Sequence, residues 1–248
     1  MKKFINNYKK LCSEYYDLDK PSAPAEALKY YSKEALRANG PILEPMCGTG
    51  RFLIPLLEKG LNVQGVDASS EMLELCKEKC KSKNLYPKLY FDTLKNLDLP
   101  IKYNYIFIPS GSFGLLINKQ EAKESLKKLF SHLSNQGKMD IEVERPYSTF
   151  ENGIKTESYV KRNDGVKIGL TTIRNYDFAT NIETIECIYE DMANNKIYKE
   201  NEIIEVKHYS EDEFKDLAIL VGFREVKICK MYSASDMSDD VILFRCTK

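Results

Sequence analysis

The chain has 248 residues and 43% hydrophobic content, enough for one large domain or a core domain carrying an insertion. Lys+Arg and Asp+Glu number 37 each, so the formal net charge is zero and no basic excess asks for a nucleic-acid partner. No apolar run reaches the roughly 20 residues that a membrane-spanning helix needs, and Met1-Lys2-Lys3-Phe4 opens no signal-like stretch, so the expected place is the cytoplasm, with no membrane partner.

In chain order, residues 25–38 predict a helix, with Ala27, Leu28, Tyr31 and Ala35 at helical spacing and Asn39-Gly40 as a stop. Pro41-Ile42-Leu43 leads into the glycine turn at residues 44–50, and a helix follows over 51–59 with Pro55 in its first turns. Residues 62–66 predict a strand and 69–83 a helix capped by Ser69 or Ser70. Strands follow at 88–91, 105–108 and 139–143, with a helix at 119–133 between the last two. Strands separated by helices of this length argue for βαβ units and a parallel sheet.

Beyond Pro146 the texture becomes β-branched and aromatic. Segments 155–161, 167–176, 182–192 and 196–208 are separated by Asn163-Asp164-Gly165, Ala179-Thr180-Asn181 and Ala193-Asn194-Asn195, which predict a four-stranded antiparallel meander. It is too thin to fold alone and is expected to pack as a lid or platform. A helix at 210–220, with Ser210 and Glu213 as a capping box, and strands at 224–232 and 240–246 complete the chain. The expected fold is α/β: a Rossmann-like doubly wound sheet of seven strands with a terminal antiparallel hairpin, plus the inserted meander. Residues 1–145 and 209–248 form the core with an N-terminal helical lid, and 146–208 the inserted subdomain.

Seven cysteines without an export signal read as reduced thiols. Cys76 and Cys80 lie four apart on a helix, yet no second pair at matching spacing accompanies them, and ordinary helix positions are expected rather than a metal site. The basic cluster at 77–83 is broken by Glu78, Cys80 and Ser82 and reads as solvated helix surface.

In Glu44-Pro45-Met46-Cys47-Gly48-Thr49-Gly50, glycines between strand and helix let a backbone approach a ligand, and the helix start offers free N–H groups. Alone this is a weak signal. Asp67, seventeen residues after Gly50 and at the end of the next strand, stands where a nucleotide-binding unit holds ribose hydroxyls. Asp92 ends the third strand, so acids or a glycine turn mark three successive strand ends on one edge.

These segments resemble the class I S-adenosylmethionine-dependent methyltransferases, in a small-molecule methyltransferase-like branch, and the likeness covers most of the chain. Glu44 to Gly50 is similar to the family's first motif, Asp67 and Ser70-Glu71-Met72-Leu73 to the second, Asp92 to the third, and Tyr105-Ile106-Phe107-Ile108 to the fourth. Met46 departs from the pattern, standing in place of the first glycine. The resemblance implies S-adenosyl-L-methionine as cofactor and S-adenosyl-L-homocysteine as product. It implies that Glu44 faces the ammonium end of the methionine part, that Gly48 and Gly50 make room, and that Asp67 with Ala68 holds the ribose. Asp92 and Thr93 would flank adenine and Ser110 would lie near the sulfonium. Met72 either packs on adenine or belongs to the core.

Tyr15-Tyr16-Asp17 resembles an element that such enzymes fold over the cofactor; an aromatic patch docking the N-terminal helix is the equal alternative, with Tyr16 set against the cofactor and Tyr15 against the substrate. Arg145 and Tyr147, leaving the fifth strand, and Tyr209 are expected substrate contacts, and His208 is the candidate base. The implied reaction is in-line methyl transfer to a nitrogen or oxygen of a small-molecule acceptor. An NAD-dependent oxidoreductase shares the glycine turn and strand-end acid, but Leu53 replaces the third glycine of its motif. A catalytically inactive S-adenosylmethionine-binding interaction protein is the other alternative. Neither the acceptor nor the oligomeric state is legible.

Overall fold

The computed structural model describes residues 8–191, 198–229 and 240–248. Strands β1 (Ile42–Pro45), β2 (Val63–Asp67), β3 (Leu89–Phe91), β4 (Tyr103–Ile108), β5 (Leu133–Glu144), β10 (Glu225–Cys229) and β11 (Val241–Thr247) form one sheet, ordered β10-β11-β5-β4-β1-β2-β3. The pairs among β1 to β5 are parallel, while β11 runs antiparallel to both β5 and β10. The expected seven-stranded sheet with a terminal hairpin is therefore present.

Both faces of the sheet are covered, which is why its central strands are apolar along nearly their whole length. Helices α2 (Ala25–Ala38), α3 (Leu53–Glu58) and α4 (Ser70–Ser82) enclose one core with Tyr31, Phe52, Tyr105 and Phe107. Helices α5 (Lys119–His132) and α6 (Glu211–Val221) enclose the other with Phe113, Leu126, Phe214 and Phe244. Cys76 and Cys80 are buried in the first core.

The capping residues act where the sequence predicts them. Ser69 accepts from the Met72 N–H at 3.1 Å, and Ser210 from the Glu213 N–H at 3.2 Å. No loop separates α5 from β5: the strand begins at Leu133, directly after His132, rather than at Met139. Gly137 permits this, because a Cβ there would lie 2.9 Å from the Tyr103 carbonyl oxygen, where the β4–β5 register shifts.

Strands β6 (Ile154–Lys161), β7 (Lys167–Asp177), β8 (Ile182–Asp191) and β9 (Tyr198–Lys207) make a separate antiparallel sheet in sequential order. The turn expected at residues 193–195, and the strand ends expected at 192, 196 and 230–232, lie outside the described residues. Helix α1 (Lys10–Asp19) packs on this second sheet through Leu11, Cys12 and Tyr15, against Ile168, Cys187 and Tyr189. Among the described residues, no helix is long and apolar enough to cross a membrane.

Candidate cofactor cleft

The strand order reverses between β1 and β4, and at such a switch point the carboxyl ends of neighbouring strands open a crevice. A cleft of about 290 Å³ lies there, with Tyr16, Glu44, Gly48, Arg51 and Ser110 in its walls.

The turn after β1 holds three left-handed residues: Met46 (φ 58°), Gly48 (φ 53°) and Gly50 (φ 82°). Met46 therefore occupies a conformation that glycine takes without cost and an L side chain takes at about 1–2 kcal/mol. Its side chain packs against the main core, which offsets part of that strain. The two glycines do different work. A Cβ on Gly48 would meet only Met72 Sδ, at 3.8 Å, so space is open above it. A Cβ on Gly50 would lie 2.7 Å from Cys76 Sγ, so Gly50 lets α4 approach the turn; the room expected there for a cofactor is taken by protein.

Asp67 is half-buried, and one oxygen accepts from the Gly48 N–H at 2.7 Å while the other accepts from Ser69 N–H at 2.9 Å. Burial raises its carboxyl above the usual range, opposed by these N–H donors and by that of Ala68. The acid thus ties the glycine turn to the start of α4, and each oxygen keeps lone-pair capacity for a ribose hydroxyl. Next to it, the Asp92 N–H donates to the Asp67 carbonyl at 3.1 Å, and Asp92 Oδ1 accepts from Thr93 N–H at 2.8 Å. Thr93 is buried and accepts from Asn96 Nδ2 at 2.9 Å. Met72 is buried as well, with its sulfur toward Gly48.

Glu44 is buried, its Oε2 has no hydrogen-bond partner, and burial holds its carboxyl well above the usual range against the pull of Arg51. Arg51 crosses the cleft: Nη2 donates to Ser110 Oγ at 2.8 Å, and the guanidinium lies 5.6 Å from the Tyr16 ring. Ser110 is itself left-handed at φ 60°, held by its N–H donating to Glu142 Oε2 at 2.6 Å. Glu142 Oε1 accepts from Tyr31 OH at 2.5 Å, so α2 and β5 together fix the cleft floor.

Tyr15 and Tyr16 part company. Tyr15 packs edge-on against Tyr189 and shares a hydrogen bond with Ser158 Oγ at 2.8 Å, docking α1 on the second sheet, whereas Tyr16 faces the cleft. The remaining expected substrate contacts and the candidate base are placed differently from expectation. His208 is fully buried between the Tyr147 and Tyr176 rings, with Nδ1 bonded to the Arg145 carbonyl at 2.7 Å and Nε2 turned toward Glu183 at 3.5 Å. It packs the root of the second sheet against β5 and does not line the cleft. Tyr147 belongs to the same ring cluster and accepts from Arg174 Nη2 at 3.2 Å. The Arg145 side chain pairs with Glu211 at 2.9 Å, on the first turn of α6. Tyr209 packs into the main core beside Phe113 and Phe214. Residue spacing reports that a side chain is near a strand end, and the alternation of faces there sends Tyr209 inward.

Sequence reasoning passed over Arg51, Glu142 and Glu144. Arg51 directly follows the glycine turn, and a cation there was a usable signal. Glu142 and Glu144 alternate on β5 and look like ordinary strand residues until burial is known. Glu144 lies beside Gly111, where a Cβ would come 3.0 Å from its Oε1. Its carboxyl is raised above the usual range by burial, with His208 and Arg174 opposing.

Residues 42–137 match the model of a family described as a methyltransferase domain. A Bacillus subtilis (strain 168) protein, YqeM, whose name calls it a methyltransferase, is 28% identical over 171 residues, covering 66% of this chain and 69% of that protein. A crystal structure of an S-adenosylmethionine-dependent methyltransferase from Clostridium acetobutylicum ATCC 824 shares the fold at TM-score 0.75 and 18% identity, covering 98% of this chain and 99% of that one. The sugar N-methyltransferase KedS8 from Streptoalloteichus sp ATCC 53650 does so at TM-score 0.74 and 15% identity, covering 90% and 87%. Residues 42–137 thus form a methyltransferase domain. Over nearly its whole length the chain shares the fold of solved S-adenosylmethionine-dependent methyltransferases. The oxidoreductase alternative falls away with that assignment.

The cleft fits the cofactor on its own geometry. An unpartnered acid at Glu44 suits an ammonium group, open space above Gly48 suits a close approach, and Asp67 has acceptor capacity for a diol.

Proposed function

We propose that the chain methylates a nitrogen of a small amine-bearing molecule, with Glu144 as the proton acceptor. The observation that carries this reading is the placement of Glu144: a half-buried carboxylate at the carboxyl end of β5, against Gly111 and one residue beyond the cleft wall at Ser110. The sugar N-methyltransferase named above, with the same fold, supports a small nitrogen acceptor.

When bound, S-adenosylmethionine supplies an activated methyl group on a sulfonium sulfur. In this reading Glu44 holds the ammonium of the cofactor's amino-acid end and Asp67 its ribose, with Gly48 beneath it and Asp92, Thr93 and Met72 near adenine. Glu142, by accepting from the Ser110 N–H, holds Ser110 in its left-handed conformation at the cleft wall. Glu144 would attract the acceptor as an ammonium and take its proton, leaving a lone pair aligned for in-line attack. The inserted sheet at 146–208 serves as a platform over the acceptor, and α1 as the cofactor lid.

Methyl-labelled S-adenosylmethionine, offered with a panel of amino sugars, simple amines and matched alcohols, tests the reading. Label is expected on nitrogen, and label on the alcohols alone would overturn it. Glu144→Gln should lower kcat about a hundredfold or more while leaving S-adenosylhomocysteine affinity unchanged. Because the Glu144 carboxyl is raised, wild-type kcat should climb with pH through a limb above the ordinary carboxylate range. That limb should vanish in the variant.

A further inference from the structure

Arg51 presents a charge that the protein leaves unanswered. Its Nε is buried without a hydrogen-bond partner, and the group that accepts from its Nη2, Ser110 Oγ, is neutral. Among the described residues no carboxylate comes within the 4.0 Å of an ion pair with it. The rings of Tyr16 and Phe52, 5.6 and 5.5 Å from its guanidinium carbon, hold the group in place without neutralising it. The guanidinium is half-buried, and its Nε–H, shut off from water, is costly unless something accepts from it.

Across the same cleft, Glu44 Oε2 is equally without a partner. Arg51 is the sole cation and Glu44 the sole carboxylate among the residues lining the cleft. The two groups do not form an ion pair with each other. Two opposite charges kept apart in one small cleft match a ligand that carries both signs on adjacent atoms.

We infer that Arg51 binds the α-carboxylate of the cofactor's amino-acid end, opposite Glu44, which faces the α-ammonium. A guanidinium is the apt group because its planar fork matches a carboxylate with two parallel N–H···O bonds. The same contact ties the lid to the ligand, since Tyr16 of α1 stacks on the guanidinium that holds the carboxylate. Arg51 is thereby a cofactor-binding and lid-positioning residue, and it needs no knowledge of the acceptor.

The test compares two ligands by calorimetry: S-adenosylhomocysteine, and its analogue with hydrogen in place of the α-carboxylate, which keeps the ammonium, ribose and adenine. Wild type should prefer S-adenosylhomocysteine by about ten- to a hundredfold, the scale of a charge-assisted pair. Arg51→Gln should weaken S-adenosylhomocysteine by a similar factor and leave the analogue within about twofold, so the preference disappears. Arg51→Lys should retain part of it. Because the readout is a ratio measured on one preparation, a partly unfolded variant does not imitate the result, and the wild-type ratio stands without any variant. Equal affinity of wild type for both ligands would overturn the inference, as would an equal loss of both in Arg51→Gln. An unchanged preference in Arg51→Gln would also overturn it.

Discussion

Glu44 sits in the cleft at a cost to the fold. Its carboxyl is raised above 4.5 by burial, so the native chain binds this proton more tightly than the unfolded chain does. Below the ordinary carboxylate value the proton is bound in both states. As pH rises from there through the native value, the unfolded chain ionises first and stability falls. Glu44→Gln should therefore raise the thermal midpoint at neutral pH, and the gain should shrink to nothing as pH drops below about 4. The same variant should weaken S-adenosylhomocysteine, and a thermal scan over pH with calorimetry checks both. Residue identity at this scale was legible where chemistry is local. Glu44, Asp67 and Asp92 come at strand ends that hydrophobic runs mark. The split between Gly48 and Gly50 was not, because it depends on Cys76 arriving from another helix. Nor was the enclosure of His208, whose neighbours Tyr147 and Tyr176 come from other segments.

At the scale of elements, α1 depends on a strand far along the chain. No side chain at its own start caps it. Instead Glu202 accepts from the N–H groups of Tyr8 and Lys9 at 2.8 and 2.6 Å, and Glu200 from those of Leu11 and Cys12 at 3.2 and 2.9 Å. Two carboxylates at the positive end of a helix satisfy both its free donors and its dipole. At its other end Lys79 of α4 pairs with Asp17. Loss of one such cap costs about 1 kcal/mol or somewhat more. Glu202→Gln should accordingly speed amide exchange in α1 about tenfold, with the α5 and α6 amides unchanged. Hydrogen exchange followed by mass spectrometry reads this directly. Helices with their own caps, such as α4 and α6, were legible to within a residue or two. The capping of α1 was not, since its caps stand nearly two hundred positions away.

For the molecule as a whole, the parallel sheet with its terminal hairpin and the second sheet were both foreseeable. Alternating strands and helices dictate a parallel sheet with covered faces, and turn residues at regular spacing dictate a meander. Their meeting place was not foreseeable. Glu142 from β5, Tyr31 from α2, Ser110 after β4, Arg51 after β1 and Tyr16 from α1 converge on one cleft only when the sheet order reverses between β1 and β4. A cofactor bound there would touch both the core and α1, so its binding should be felt in both. Hydrogen exchange over the full chain, with and without S-adenosylhomocysteine, tests this most directly. Protection is predicted at residues 44–50, 67–69 and 10–19 together, and none is predicted with NAD. Unchanged exchange in the turn at 44–50, or the same protection given by NAD alone, would contradict the account.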